Sequence, residues 1–324
     1  MTNFWEKLPK PFFALAPMED VTDAAFRRLI AHYGKPDVFY TEFTSADGMV
    51  LAPKEGQVFI RQRLIFSKRE HPIVAQLFSA TPERIEKAAA IAHKLGFDGI
   101  DINMGCPDKA IEKGMCGAAM IKNPELAKEI IRAAKRGAKN IPVSIKTRIG
   151  YSKNELDTWL PILLHEDIAE ITIHARTREE LSDTLADWST IKQAVEIRDK
   201  LGYKTLIVGN GDARDLNDAR GKIKETGCDG VMFGRAIYGN PWLFTGRSTP
   251  PQPKEKIEAL IEHIKLFKKL LAKTNNYDAM KKHFKAYISG WDNAKDLRNK
   301  LMGTKTPKET IKLLNEYKSK QTYL

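Results

Sequence analysis

Eight short apolar runs recur along the first 235 residues, and longer segments with helical spacing separate most of them. The runs are FFALAPM, DVFYTEF, PIVAQL, GIDINMG, VSIKTRIG, EITIHART, TLIVGNGD and GVMFGR. Strands that alternate with helices form a parallel sheet, and eight such units favour an α/β fold of the (β/α)8 TIM-barrel type. An open Rossmann sheet is less favoured, because GNGDAR lacks the third glycine of the dinucleotide fingerprint. The link between the second and third runs, residues 44 to 71, gives no clear assignment.

The alternation of strands and helices ends near residue 246, and the proline-rich stretch STPPQPK that follows is typical of a linker. Beyond it, EKIEALIEHIKLFKKLLAK carries apolar residues at helical spacing, and similar patterns continue nearly to the end of the chain. We therefore predict a catalytic barrel over residues 1–246 and a small helical domain over residues 254–324.

Positive charge is concentrated in this second segment. Residues 254–324 carry a net charge of +9 out of +12 for the whole chain, which leaves +3 for the first 253 residues. Lysines on a solvated helix face explain many such excesses, but a separate basic module on a nearly neutral one suits a polyanion such as nucleic acid.

The N-terminal stretch MTNFWEKLPKPFFALAPM lacks the basic start and continuous apolar segment of a signal peptide. No run approaches the ~18 apolar residues needed to cross a bilayer, so we expect a cytoplasmic protein without a membrane partner. The three cysteines, Cys106, Cys116 and Cys228, show no C-x-x-C spacing. Neither a disulfide framework nor a metal site is predicted, and any special cysteine is expected to be reactive.

Polar residues stand where the apolar runs stop. Enzymes on the TIM-barrel fold build their sites at the C-terminal ends of the strands, so these side chains are candidates for function. One such residue would more often be structural, but a set at equivalent places is hard to explain as capping. The set is Met18, Gln76, Asn103, Lys146, His174, Asn210 and Arg235.

Glycines follow the last two runs, in VGNGDAR and FGRAIYGN. Barrels commonly bind phosphate here, through backbone N–H groups and a helix N-terminus. Any one of Gly209, Gly211, Gly234 and Gly239 is more simply a turn residue, but together they favour a phosphorylated cofactor, with Arg235 as a bidentate partner. Lys146, across the mouth, would then stabilise negative charge on the cofactor's ring.

Several motifs resemble, in order, the tRNA-dihydrouridine synthase family. They are APMEDVTDAAFR, QLFSATPE, GIDINMGCPDKAIEKGMCGAAMI, VSIKTRIGY, HARTREE, ADWSTI, VGNGDARD and GVMFGRAIYGNPWLF. The C-terminal stretch MKKHFKAYISGWDNAKDLRNKLM resembles the family's helical tRNA-binding domain more loosely. The resemblance implies an FMN-containing barrel in which NADPH reduces the flavin, and the reduced flavin passes a hydride to C6 of a specific uridine in tRNA. We expect a monomer, as suits an enzyme that wraps a large RNA.

The same resemblance implies roles for individual residues. Cys106, in NMGCP, becomes the general acid that protonates C5 of the uracil, and an ordinary thiol with a pKa of ~8.5 is mostly protonated at neutral pH. Substrate binding is implied for Asn103, Arg148 and Arg176. Cofactor binding is implied for Pro17, Met18, Gln76, Lys146, His174, Asn210, Gly211, Asp212, Gly234 and Arg235.

One stretch departs from the family's pattern, and a second cysteine competes with Cys106 for the role of the acid. Members usually carry a glutamine, a tyrosine and a glycine where residues 179–185 here offer Glu180, Ser182 and Thr184. Cys116 lies in a Gly- and Ala-rich stretch and could be mistaken for the acid. We interpret it as a small packing residue, because the Asn-x-Gly-Cys-Pro context belongs to Cys106, and we interpret Cys228 as a buried small residue.

Two other functions stay open at this point. An FMN barrel could act on a free pyrimidine, as dihydroorotate and dihydropyrimidine dehydrogenases do, but such an enzyme has no evident need for a +9 module. A catalytically idle RNA-binding protein could keep the barrel as a scaffold, but the presence of Cys106 and the cofactor residues argues against it.

Overall fold

The computed structural model describes residues 3–321, so the outermost residues of the two predicted domains, 1–2 and 322–324, lie outside the described part. Within this described part, nine parallel strands form one sheet. They are β1 Phe12–Leu15, β2 Phe39–Tyr40, β3 Thr44–Ser45, β4 Ile73–Phe78, β5 Gly99–Met104, β6 Val143–Arg148, β7 Glu170–His174, β8 Leu206–Asn210 and β9 Gly230–Phe233.

The strands are arranged as a barrel. The sheet order is β1-β9-β8-β7-β6-β5-β4-β2, and a parallel bridge between Ala14 and Val38 brings its two ends together. The short β3 pairs with β4 beyond the end of β2, so that β2 and β3 together form the second strand of the barrel. Each of the eight predicted runs overlaps one of the eight barrel strands, and the prediction of a (β/α)8 TIM barrel is confirmed.

Thirteen α-helices are formed within residues 3–321. They are α1 Ala24–Tyr33, α2 Ala46–Leu51, α3 Lys54–Arg63, α4 Pro82–Lys94, α5 Lys109–Lys113, α6 Pro124–Ala138, α7 Leu156–Leu164, α8 Ser189–Leu201, α9 Leu216–Thr226, α10 Pro253–Leu270, α11 Lys281–Tyr287, α12 Ala294–Met302 and α13 Pro307–Gln321. Local sequence explains the ends of several of them: Asn123 caps α6 through a bond from Leu126 N–H, and the left-handed Gly202 and Gly227 end α8 and α9.

The bottom of the barrel is filled by apolar side chains. Trp5, in a 3-10 helix that precedes β1, packs with Phe12, Val74 and Met232 at this end. A second buried layer lies between the strands and the surrounding helices and continues without interruption into α10 and α11, so that Phe26 of α1 shares one core with Phe284. These side chains close the interior of the barrel near the N-terminal ends of its strands.

Residues 44–71, which the sequence left unassigned, form β3, α2 and α3. Leu51, Val58 and Phe59 in these helices are more than half exposed. The stretch therefore lacks an apolar stripe that faces a core, and such a stripe is the pattern that predicts a helix in a sequence. Within residues 3–321, no helix is both long and apolar enough to span a lipid bilayer.

Candidate active site

A pocket of about 900 Å³ opens at the C-terminal ends of the strands. Eleven of the predicted site residues line it: Pro17, Met18, Lys146, Arg148, His174, Arg176, Asn210, Gly211, Asp212, Gly234 and Arg235. A pocket of about 780 Å³ lies at the opposite end, beside Trp5, Val143 and Leu206, and contains none of them. Because TIM-barrel enzymes place their sites at the C-terminal ends of the strands, the 900 Å³ pocket is the candidate active site.

Cys106 stands two residues beyond β5, next to Pro107, which lines the pocket. The side-chain oxygen of Asn103 accepts hydrogen bonds from the backbone N–H groups of Gly105 (3.1 Å) and Cys106 (2.9 Å). A Cβ atom on Gly117 would come within 2.5 Å of the Cys106 carbonyl oxygen, which also accepts a bond from Ala118 N–H. The loop that carries the thiol is therefore fixed from both sides.

Burial raises the pKa of the Cys106 thiol above its ordinary value, and the charges of Asp108 and Glu19 act in the same direction. The hydrogen bond involving the Asp108 backbone and the charge of Lys146 oppose the shift without reversing it. The thiol is therefore protonated at neutral pH, which is the form that can donate a proton.

The other two cysteines are packing residues, as predicted. Cys116 is buried, its thiol donates to the Gly114 carbonyl oxygen, and burial raises its pKa to about 11. Cys228, just before β9, is 3 % exposed and donates to the Gly230 carbonyl oxygen. All three cysteines are free thiols.

Gln76 and Asn103 lie below the pocket in a chain of hydrogen bonds. The Asn103 amide donates to Gln76 Oε1 at 3.3 Å, and Gln76 Nε2 donates to Asp101 at 2.8 Å. Ser144 donates to the other oxygen of Asp101 at 2.7 Å. Gln76 is thus held by neighbours on β5 and is 1 % exposed, so its position is fixed before any ligand binds.

Lys146 lies beside this chain, opposite Asn103 in the register of β5 and β6. Burial lowers its pKa to about 8, and the charge of Arg148 adds to the shift, whereas Asp101 opposes it. An ammonium kept partly out of water interacts more strongly with an anionic neighbour than an exposed lysine would. Lys146 is therefore suited to stabilise negative charge that arises inside the pocket.

The opposite wall of the pocket combines a histidine with two arginines. Arg176 donates to His174 Nε2 at 3.1 Å, and because a guanidinium can only donate, the proton of neutral His174 is on Nδ1. Burial, together with the charges of Lys146, Arg148 and Arg176, lowers the pKa of His174 well below its usual value. His174 is therefore neutral and presents a donor at Nδ1.

Asp212 holds the two arginines together. Its two oxygens accept bonds of 2.5 Å from Arg176 and Arg235, and Ala186 N–H donates to it at 2.9 Å. Burial acts to raise the pKa of Asp212, but the Ala186 bond and the two guanidinium groups hold it below the usual value. Arg235 keeps 62 % of its side chain exposed beside the pocket, so its remaining donors can reach an anion.

Two of the four glycines noted in the sequence belong to the pocket. Gly211 has φ of +129°, and a Cβ on Gly234 would meet only Met18 Sδ, at 3.8 Å, so the backbone is open to a ligand there. The other two are packing residues: a Cβ on Gly209 would lie 2.3 Å from Trp188, and one on Gly239 would lie 2.4 Å from the backbone of Ala286. Of the four predicted glycines, only Gly211 and Gly234 are therefore placed where they could contribute to a phosphate site.

The atypical stretch 179–185 forms a lip over the pocket, where Leu181 and Ser182 line it. The Thr184 carbonyl accepts two bonds from Arg176, at 2.6 and 2.9 Å. Arg148 donates to the carbonyls of Gly105 and Leu181, and so joins the Cys106 loop to the lip. Arg148 and Arg176, predicted to bind substrate, are 5 % and 2 % exposed, and their hydrogen bonds position these two loops.

Sequence reasoning missed a buried polar layer beneath the pocket. Thr172 and Tyr40 donate to the two oxygens of Glu170, at 2.6 and 3.3 Å, and burial raises the pKa of Glu170 well above its usual value. Strand alternation offered the signal, because Asp101 is two residues before Asn103, and Glu170 and Thr172 share a side of β7 with His174.

The residues fit a flavin mononucleotide. The pocket offers an arginine and open glycine backbone at one wall, for a phosphate, and a partly buried lysine at another, for an electron-rich ring. A protonated thiol, on Cys106 next to the lining residue Pro107, completes the set. Together with the barrel, these features define a flavin-dependent TIM-barrel oxidoreductase.

Comparison with known proteins narrows this class. The model of the dihydrouridine synthase family matches residues 14–322. The chain is 40 % identical over 319 residues to a probable tRNA-dihydrouridine synthase of Staphylococcus aureus strain Mu50, covering 98 % of this chain and 96 % of that protein. It is 39 % identical over 320 residues to probable tRNA-dihydrouridine synthase 2 of Bacillus subtilis strain 168, covering 98 % and 97 %. The chain belongs to the dihydrouridine synthase family.

Solved structures agree on the fold. A 2-naphthoyl-CoA reductase in complex with 2-naphthoyl-CoA superimposes with a TM-score of 0.55 at 11 % identity, over 72 % of this chain and 49 % of that chain. A variant of NCR from Zymomonas mobilis superimposes with a TM-score of 0.50 at 19 % identity, over 78 % and 94 %. At these identities the likeness concerns the barrel alone.

Proposed function

We propose that this protein reduces specific uridines in tRNA to dihydrouridine, with FMN bound in the 900 Å³ pocket and NADPH as the reductant. The observation that carries the proposal is the protonated thiol of Cys106, held by Asn103 beside a pocket with Lys146 in its wall and Arg235 at its edge. Membership of the dihydrouridine synthase family supports the substrate.

FMN would be held from two sides. Its phosphate would lie at Arg235 and the open backbone of Gly234, where Asp212 orients the guanidinium. Its ring would lie toward Lys146, with Gln76 held below by Asp101. When bound, FMN supplies the hydride that adds to C6 of the uracil.

The chain's own residues supply the proton. The Cys106 S–H bond breaks as the C5–H bond forms, which completes the reduction of the C5–C6 double bond and leaves a thiolate that takes a proton back from solvent. Asn103 keeps the Cys106 loop in place through two backbone bonds, and Arg148 ties the same loop to the lip. Fixed geometry of this kind accounts for a large part of the rate in enzymes that transfer protons.

The C-terminal helices supply the affinity for tRNA. Residues 254–324 carry a net charge of +9, and phosphate contacts by lysine and arginine dominate binding to nucleic acids. We propose that these residues act as a tRNA-binding domain beside the barrel, and that the enzyme works as a monomer in the cytoplasm.

One anaerobic experiment tests the function. The purified protein is reduced with NADPH, tRNA lacking dihydrouridine is added, and the flavin absorbance is followed, with free uridine and orotate as controls. Reoxidation by tRNA alone is the expected result. A response only to a small pyrimidine would replace the proposed substrate, and a protein that binds no flavin would overturn the cofactor.

A further inference from the structure

A smaller pocket, of about 330 Å³, lies between the barrel and the C-terminal helices. Its walls are the loops after β1 and β2, one face of α3, and the residues that follow α10. The lining residues used below are Asp20, Glu42, Phe59, Gln62 and Arg63. We call it the interdomain pocket.

The interdomain pocket and the candidate active site share a wall. The loop after β1 lines the active site with Pro17 and Met18 and the interdomain pocket with Asp20. Met18 and Asp20 are two residues apart, so their Cα atoms are separated by at most ~7 Å. Glu19 lies between them, forms a 2.8 Å ion pair with Arg63, and is close enough to Cys106 for its charge to affect the thiol. The two pockets are therefore close enough for one extended substrate to occupy both.

The interdomain pocket offers hydrogen-bond acceptors. Gln62 is 7 % exposed, and because its Nε2 donates to the Leu270 carbonyl at 2.9 Å, its Oε1 is buried with no hydrogen-bond partner among residues 3–321. Carboxylates of Asp20 and Glu42 line the same space. A buried acceptor without a donor is costly, so a ligand that brings N–H groups would stabilise this arrangement.

An aromatic ring stands at the edge of these acceptors. Phe59 is 55 % exposed, and on α3 it precedes Gln62 and Arg63 by three and four residues, so the three side chains share one face. An exposed aromatic ring beside a cationic group is the arrangement on which proteins stack unpaired bases. Two cations, Arg63 in the lining and Lys282 at 3.5 Å from Asp20, offset part of the negative charge of Asp20, Asp23 and Glu42. The carboxylate oxygens that remain suit a neutral ligand that carries N–H donors.

We propose that the interdomain pocket binds a second unpaired nucleobase of the tRNA, close to the uridine being reduced. The proposal rests on the proposed function and names a further contact for the same substrate. Guanine fits best, because its Watson–Crick edge presents adjacent N1–H and N2–H donors to the acceptors of Asp20 and Gln62. Adenine and cytosine present an amino group beside a ring acceptor, which these oxygens would repel.

The first test measures tRNA affinity of the FMN-loaded enzyme. Phe59→Ala should weaken binding on the order of 10-fold, whereas Phe59→Tyr, which keeps the ring, should bind nearly as well as the wild type. Leu201→Ala, at a 43 % exposed apolar position on α8, is the control and should change nothing. Equal affinity for Phe59→Ala and the wild type would overturn the proposal, whereas a wild type inactive on tRNA would overturn the function instead.

The second test identifies the base. Once the reduced uridine is mapped, each unpaired guanosine near it is replaced by inosine, which lacks the N2 amino group. One replacement should weaken binding about 10-fold in the wild type and have much less effect in Asp20→Ala, because alanine has no acceptor for the N2 amino group and the two changes then remove the same contact. Additive effects, or no sensitive guanosine, would overturn the proposal. A rise in melting temperature with KCl that Asp20→Asn abolishes would identify a cation site and overturn it as well.

Discussion

The side-chain oxygen of Asn103 lies 2.9 Å from the backbone nitrogen of Cys106 and accepts its hydrogen bond. The same oxygen accepts from Gly105, and the amide on the other side donates to Gln76. Asn103 therefore links Cys106, the proposed acid, to Gln76, which is predicted to bind the flavin. A proton donor and a hydride donor must meet one uracil at once, and this linkage fixes their relative position.

Replacement of Asn103 by alanine should slow the reaction without emptying the pocket of flavin. Loss of both backbone bonds would let the Cys106 loop shift, and a misplacement of ~1 Å can cost about 100-fold in rate. The measurement is single-turnover reoxidation of the reduced flavin by tRNA, with bound flavin quantified by absorbance. Asn123→Ala is the matched control, since it also removes an asparagine-to-backbone bond, at the start of α6. Equal rates in both variants would contradict the positioning role.

The role of Cys106 predicts a pH profile as well as a mutant phenotype. Burial raises the pKa of this thiol above its ordinary value, and the protonated form is the active one. The rate of the proton-transfer step should therefore stay level through neutral pH and fall only above pH ~8.5, the ordinary pKa of a thiol. Cys106→Ala should abolish turnover and retain flavin, whereas Cys116→Ala should remain active. A rate that falls between pH 7 and 8, or loss of activity in both variants, would contradict the assignment.

The sequence predicted the parts of this fold in which hydrophobic pattern and burial coincide. The runs that became β4, β8 and β9 are mainly apolar, whereas those that became β5, β6 and β7 alternate apolar residues with polar ones. Residues 44–71 gave no such signal because Val58 and Phe59 face outward. The helix α3, which carries both side chains, lines the interdomain pocket. This is a tertiary arrangement, and a local sequence pattern does not predict it.

The candidate site was predictable for a similar reason. Residues at strand ends share one face of the barrel whatever the loops do, so Lys146, His174 and Asn210 could be brought together from spacing alone. Hydrogen bonds between loops that are distant in the sequence could not be predicted from spacing. Arg178, for example, forms an ion pair with Glu112, 66 residues earlier in the chain, and donates to the Pro107 carbonyl. This contact joins the residue just before the lip to the Cys106 loop, through side chains to which the sequence motifs assigned no role.

Lys146 should lower the stability of the protein when flavin is absent. Its pKa in the folded protein is about 8, against an ordinary value of 10.5. Below pH 8 the lysine is charged in both states and the cost of burial is complete; between pH 8 and 10.5 the folded protein binds fewer protons than the unfolded chain, so the cost shrinks as pH rises. Lys146→Met should therefore raise the melting temperature of the flavin-free protein at pH 7, on the order of a few degrees.

The same substitution should weaken FMN binding on the order of 10-fold, through loss of a charge-assisted contact to the ring. Melting curves of flavin-free wild type and Lys146→Met at pH 7 and pH 10 provide the check, because the difference between the two proteins should be several-fold smaller at the higher pH. A difference that persists at pH 10 would mean that methionine stabilises by packing alone.

The ion pair between Arg27 and Glu70 should contribute most of the rigidity of the loop after β1. Both side chains are fully buried, the charged atoms are 2.8 Å apart, and Arg27 also donates to the carbonyls of Thr22 and Ile65. Glu70→Ala would leave a buried guanidinium without its carboxylate, which costs about 3–5 kcal/mol in comparable cases. Urea denaturation measures the change in the free energy of unfolding.

Lys312→Ala is the control for this measurement, because Lys312 and Glu316 are 78 % and 54 % exposed and lie 3.8 Å apart. An exposed pair of this kind contributes about 0–1 kcal/mol. The loss in the free energy of unfolding should therefore be several-fold larger for Glu70→Ala than for Lys312→Ala, and similar losses would contradict the special position of Glu70.

Thr22 also holds the loop after β1 directly, since its hydroxyl accepts a bond from Met18 N–H at 2.8 Å. Because that loop separates the flavin pocket from the interdomain pocket, Glu70→Ala should reduce turnover even at temperatures where the variant is still folded.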